Sequence, residues 1–184
     1  EMLQVDEIAN NHLIKGKNTA LSSRAASICY YIQGFCNATK RDFSTALLKF
    51  QRTKYILDKN PLIKNDLPGR YVRTIGNIVN CLIEANKLTQ AQQLLTELNE
   101  LKNQKSFKSI DIKVKIFTIY NNSQLVIFEK QGDFQKGLKL INQLEIGIST
   151  FQYKLNKEQT IQFYYRISYL YFGAGLFKDA LKWV

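Results

Sequence analysis

The sequence predicts an all-α fold of antiparallel helix pairs. One short pattern returns four times along the 184 residues: Arg41-Asp42-Phe43-Ser44-Thr45-Ala46, Lys87-Leu88-Thr89-Gln90-Ala91, Gly132-Asp133-Phe134-Gln135-Lys136-Gly137 and Gly175-Leu176-Phe177-Lys178-Asp179-Ala180. The small residues that close each copy stand 45, 46 and 43 positions apart. A near-constant period of this size marks stacked supersecondary units. Apolar residues recur at helical spacing almost throughout, and the two prolines, Pro61 and Pro68, sit close together, so the rest of the chain is free to be helical.

A short amphipathic helix is expected over Leu3 to Ile14, stopped by Gly16-Lys17-Asn18. A long helix follows from about Thr19 to Thr39, with Ile28, Ile32 and Phe35 on one side, and the next runs from about Phe43 to Leu57. Asn60-Pro61 and Leu67-Pro68-Gly69 bracket the main loop, because a residue before proline leaves the helical region. Further helices are expected at about Tyr71–Ala85, Leu88–Asn103, Ile110–Lys130, Phe134–Phe151, Lys157–Phe172 and from Phe177 onward. The run Ile110-Asp111-Ile112-Lys113-Val114-Lys115-Ile116 alternates like a strand, but in the frame of the repeat it opens a first helix, and the frame decides.

The formal charge of +11 favours acidic partners or nucleic acid through long-range attraction, against the plainer reading of a solvated, lysine-rich surface. No acidic residue occurs from Ile8 to Arg41, and a second basic stretch, Lys102, Lys105, Lys108, Lys113 and Lys115, is broken by Asp111 alone. The three cysteines, Cys29, Cys36 and Cys81, are odd in number and lack CxxC spacing, which argues against a disulfide scaffold, and Cys29 and Cys36, seven apart on one helix face, read as small core residues rather than metal or redox groups. No apolar run approaches the roughly 20 residues that span a bilayer. A polar, acidic start from Glu1 to Asn11 carries no signal peptide, and the setting expected is cytoplasmic. The chain reads as one domain over 1–184, a piece of a longer protein, whose end at Leu181 and Trp183 bares an apolar face suited to further repeats or to self-association.

The helix pairs resemble the tetratricopeptide repeat. In the first copy Gly34 sits twelve residues before Ala46, and Phe50 four after it; in the second, Val79, Ala91, Leu95 and Leu98 take these places. Leu125, Gly137, Ile141 and Leu144 do so in the third, and Ser168 and Ala180, flanked by Tyr164 and Tyr171, in the fourth. The resemblance covers roughly Ala25 to Val184, with units about ten residues longer than the family's usual 34. It implies close helix crossings at the small residues, with Phe50 filling the gap to the next unit. It also implies a right-handed α-α superhelix of about four helix pairs plus an N-terminal helix, whose first helices line a concave groove.

On that face the resemblance places Ile28, Tyr31, Ile32 and Phe35; Arg73, Gly76, Asn77 and Asn80; Ile119, Asn122, Ser123 and Val126; and Gln162, Tyr165, Arg166 and Tyr169. These residues include no acidic side chain. Asn77, Asn80 and Asn122 suit a clamp on peptide backbone, since an amide both donates and accepts. Arg73 and Arg166 suit a carboxylate, and Tyr165 and Tyr169 aromatic contacts. The expectation is a non-catalytic scaffold for a protein or extended peptide, with no cofactor and no metal. His12 is the only histidine, and no Ser-His-Asp set, Walker loop or GxGxxG occurs. Two rival readings are the sensor half of a bacterial regulator with its output domain elsewhere, and nucleic-acid binding through the basic surface.

Overall fold

The computed structural model describes residues 2–15 and 22–184, and every described element is helical. The chain packs as two compact units, Glu1–Phe107 and Lys108–Val184. The first contains α1 (Met2–Asn10), α2 (His12–Lys15), α3 (Ser23–Thr39), α4 (Phe43–Lys59), α5 (Pro61–Asp66), α6 (Pro68–Glu84) and α7 (Leu88–Glu100). The second contains α8 (Ile110–Gln131), α9 (Phe134–Lys139), α10 (Ile141–Thr150), α11 (Lys157–Gly173) and α12 (Phe177–Ala180). The alternating run at Ile110 is helical, and no strand occurs among the described residues.

Caps in the sequence set several boundaries. Ser22 accepts from the Ala25 N–H at 3.2 Å, so α3 starts at Ser23 rather than at Thr19; residues 19–21 and the expected Gly16-Lys17-Asn18 stop lie outside the described residues. Asp42 Oδ1 accepts from the Thr45 N–H at 3.0 Å, and Asn156 forms a reciprocal capping box with Gln159. The segment expected as the main loop is itself a helix, α5. Asn60 and Leu67 do leave the helical region, as residues before proline must. Pro61 and Pro68 then stand at the first helical positions, where an N–H is not needed, and each starts a helix. The expected helix from Phe134 to Phe151 is interrupted at Leu140, whose N–H bonds back to Gly137 O at 3.0 Å and tightens the turn.

The repeat is legible in the turns. Among the described residues the left-handed ones are Arg41 (φ 62), Asn86 (φ 55), Gly132 (φ 67) and Gly175 (φ 77), each five positions before the small residue of its copy. The next N–H closes the same long ring each time: Asp42 to Asn37 O, Lys87 to Leu82 O, Asp133 to Phe128 O and Leu176 to Tyr171 O, at 2.8–2.9 Å. These are four Schellman motifs at the repeat period. Only the last two use glycine, so Arg41 and Asn86 carry a Cβ in a region that disfavours one. Arg41→Gly and Asn86→Gly are each expected to stabilise by up to about 1 kcal/mol, more at Arg41 than at the more tolerant asparagine, read as raised midpoints in urea unfolding.

Ala46, Ala91, Gly137 and Ala180 are all buried. A Cβ on Gly34 would lie 2.7 Å from Phe50 Cε1, and one on Gly137 would lie 2.7 Å from Leu170 Cδ2. Phe50 therefore fills the space above Gly34 within its own hairpin, and its ring also meets Tyr31 edge-on at 5.7 Å. Ser168 replaces glycine at the fourth crossing and donates to Ala180 O at 3.0 Å, so a hydroxyl binds the partner helix there. In the second unit Leu125, Ile141, Leu144, Phe163, Ile167 and Leu170 form the core. Cys36 and Cys81 are buried, and desolvation pushes the Cys81 thiol up to about 11, in keeping with a packing role.

Candidate functional site: the outward strip of the first helices

Helices α3 and α6 open the two hairpins of the first unit and meet through the side chain of Tyr31. The Arg70 guanidinium stacks over the Tyr31 ring at 5.2 Å, and Asn77 Nδ2 donates to the Tyr31 hydroxyl at 3.5 Å. This contact uses up part of the face expected to be open: Asn77 is half-buried and has a packing partner, and Gly76 is buried. One turn further along, Phe35, Arg73 and Asn80 remain exposed. Neither Arg73 nor Asn80 has a side-chain partner among the described residues. The step from Tyr31 to Phe35, from Arg70 to Arg73 and from Asn77 to Asn80 is one helical turn in each case, so the three exposed side chains share one strip.

In the second unit α8 and α11 open the hairpins. Arg166 Nη1 donates to Glu129 Oε2 at 2.9 Å and Oε1 at 3.2 Å. Burial raises the Glu129 carboxyl above its ordinary range, with Arg166 opposing the shift. The face expected to lack acidic residues thus holds one, because the helical register of Asn122 and Val126 continues one turn to Glu129. Arg166 is committed to that pair. Asn122 Oδ1 is buried without a hydrogen-bond partner, and Ser123 is buried. Tyr165 and Tyr169 are exposed and stacked on each other, centroids 6.4 Å apart. Of the seven expected contact residues, Arg73, Asn80, Tyr165 and Tyr169 are accessible, while Asn77, Asn122 and Arg166 are engaged or partly buried within their own units.

A polar network in the first unit was not anticipated. The buried Tyr71 hydroxyl donates to Asp58 Oδ1 at 2.6 Å, with Glu97 Oε1 at 3.2 Å. Lys54 Nζ bridges both carboxylates at 2.9 Å, and the Lys64 ammonium stands 4.9 Å from the centre of the Tyr71 ring. Four helices, α4 to α7, are tied here. Elsewhere on α4, Arg52 and Lys59 lie over the exposed Tyr55 ring at 5.2 and 5.9 Å, with no carboxylate partner among the described residues.

No described helix is long and apolar enough to cross a membrane. Compared with protein-family models, with curated proteins and with solved structures, the chain matches none.

Proposed function

We propose that this chain is a non-catalytic interaction module, built of tetratricopeptide-like hairpins, that holds an extended protein segment along the outward strip of its first helices. The observation that carries the reading is the trio Phe35, Arg73 and Asn80: an aromatic, an unpaired cation and an unpaired amide kept exposed in one register beside the packed Tyr31–Arg70–Asn77 contact. The asparagine can donate to and accept from a peptide backbone. The arginine can grip an acidic side chain or a terminal carboxylate, and the phenylalanine offers an apolar anchor. In the fourth hairpin, within the second unit, Tyr169 stands at the repeat position of Phe35 and Asn80 and is exposed there too.

The test is fluorescence polarisation against a set of extended acidic peptides with free carboxyl termini. Phe35→Ala, Arg73→Ala and Asn80→Ala together are expected to weaken binding at least about tenfold, each lost polar contact contributing about 0.5–1.5 kcal/mol. Their melting should match the parent, because all three side chains are exposed. Unchanged binding in the triple variant rejects the strip.

The Arg52–Tyr55–Lys59 cluster favours a second reading, single-stranded nucleic acid stacked on Tyr55. A steep loss of affinity with salt for an oligonucleotide, abolished by Arg52→Glu and Lys59→Glu or by charge reversal at Lys105 and Lys108, selects that reading instead.

A further inference from the structure

The repeat supplies its own reference for which surfaces are meant to be covered. Aligned on the crossing residue, Ile161, Tyr165 and Phe172 of α11 correspond to Ser27, Tyr31 and Ala38 of α3 and to Thr118, Asn122 and Glu129 of α8. In those two helices the face is occupied. Ser27 and Thr118 are 0% and 8% exposed, Tyr31 lies beneath Arg70 and Asn77, and Glu129 takes Arg166. On α11 the same face is bare: Ile161, Tyr165 and Phe172 are 65%, 64% and 61% exposed. Helical spacing puts the three on one side, opposite Phe163, Ile167 and Leu170 in the core. Large apolar side chains in the register of a buried seam mark an interaction surface.

We propose that a second copy of this chain covers this face, with α11 packed antiparallel against its counterpart about a two-fold axis. The stripe is self-complementary. An axis passing between Tyr165 and Ser168 sets Ile161 against Phe172 of the second copy, and Phe172 against its Ile161. Charge points the same way. Two chains of +11 repel, but from Glu158 to Phe177 the sole cation is Arg166, already neutralised by Glu129. Stacking through the first hairpin is closed off, since α1 and α2 cover that flank of α3: Leu13 O and Ile14 O accept from Cys29 and Gln33, and Asp6 pairs with Lys40. The exposed parts of Ile161, Tyr165, Tyr169, Phe172 and Phe177 amount to roughly 450–700 Å² per copy, taking 150–250 Å² for each whole side chain. That falls short of the roughly 800 Å² per partner of a standard interface, so the dimer is weak, with a Kd on the order of 10–100 µM. This inference is independent of the peptide-binding strip on α3 and α6.

Sedimentation velocity from about 10 µM to about 1 mM tests it. The expected result is a concentration-dependent monomer–dimer equilibrium. Ile161→Lys and Phe172→Glu should each raise Kd at least about tenfold, with thermal melting checking that each variant stays folded, since Phe172 also meets Phe177 edge-on at 5.3 Å. Combined in one chain they face each other across the axis, and association should partly return. A monomer at every concentration overturns the proposal, as does a dimer indifferent to both single changes. A double variant no better than the singles overturns the antiparallel register. A chain that stays monomeric yet binds a synthetic Pro68–Glu84 peptide gives the face to another repeat helix and overturns the second copy as occupant.

Discussion

Phe50→Ala is expected to lower the stability of the first unit by about 3–5 kcal/mol, the largest effect of any single change considered. The ring is fully buried, seated against the bare backbone of Gly34 and edge-on to Tyr31, so its removal leaves a cavity at the crossing of α3 and α4. Gly34→Ala in the parent should also destabilise, by about 1–3 kcal/mol, because its Cβ would meet a stiff aromatic ring at 2.7 Å. Alanine is nevertheless the better helix former by about 1 kcal/mol. In the Phe50→Ala background the clash is gone, so Gly34→Ala should become neutral or stabilising. Urea unfolding of the four proteins gives the coupling between the two positions. Additive losses would show that the ring does not sit on Gly34.

Tyr71→Phe is expected to cost about 1.5–3 kcal/mol at neutral pH, since the hydroxyl bonds to charged carboxylates in a buried place. It should also alter the response to alkali. Burial first, and then the hydrogen bond and charge of Asp58 and the charge of Glu97, push the Tyr71 phenol well above its ordinary value. The folded chain therefore keeps a proton that the unfolded chain loses above about pH 10. With more protons on the folded state, stability falls as pH rises past that point. Lys54 acts in the same sense. Desolvation lowers its affinity for the proton, but hydrogen bonds and charge from Glu97 and Asp58 outweigh it and raise the pKa. Stability measured between about pH 8 and pH 11 should decline less steeply in Tyr71→Phe than in the parent. Equal slopes would remove Tyr71 from the alkaline transition.

Much of the local structure was legible in the residues. The four small residues of the repeat are buried, the Ile110 run is helical, and the period of 45, 46 and 43 returns as four matching left-handed turns. The prolines misled in one respect only. Their effect on Asn60 and Leu67 is local and was read correctly, but whether six intervening residues coil or form a helix depends on more than the flanking dihedrals.

The candidate face was legible as a register and not as a surface. Periodicity alone assigns Tyr31, Asn77, Asn122 and Arg166 to the same side of their helices as Phe35, Asn80 and Tyr169. Only packing between neighbouring hairpins decides that Asn77 bonds to Tyr31 and Arg166 to Glu129, while Phe35, Asn80 and Tyr169 stay exposed. The Tyr71–Asp58–Glu97–Lys54 network was hidden for the same reason: its members are separated along the chain, and a contact set by the meeting of four helices leaves no spacing in the sequence to find. The sequence by itself determined helix, turn and repeat, because these follow from side-chain periodicity and backbone preference within a few residues. The tertiary structure decided which polar groups are consumed in holding the hairpins together and which face outward, because that depends on which helix lies against which.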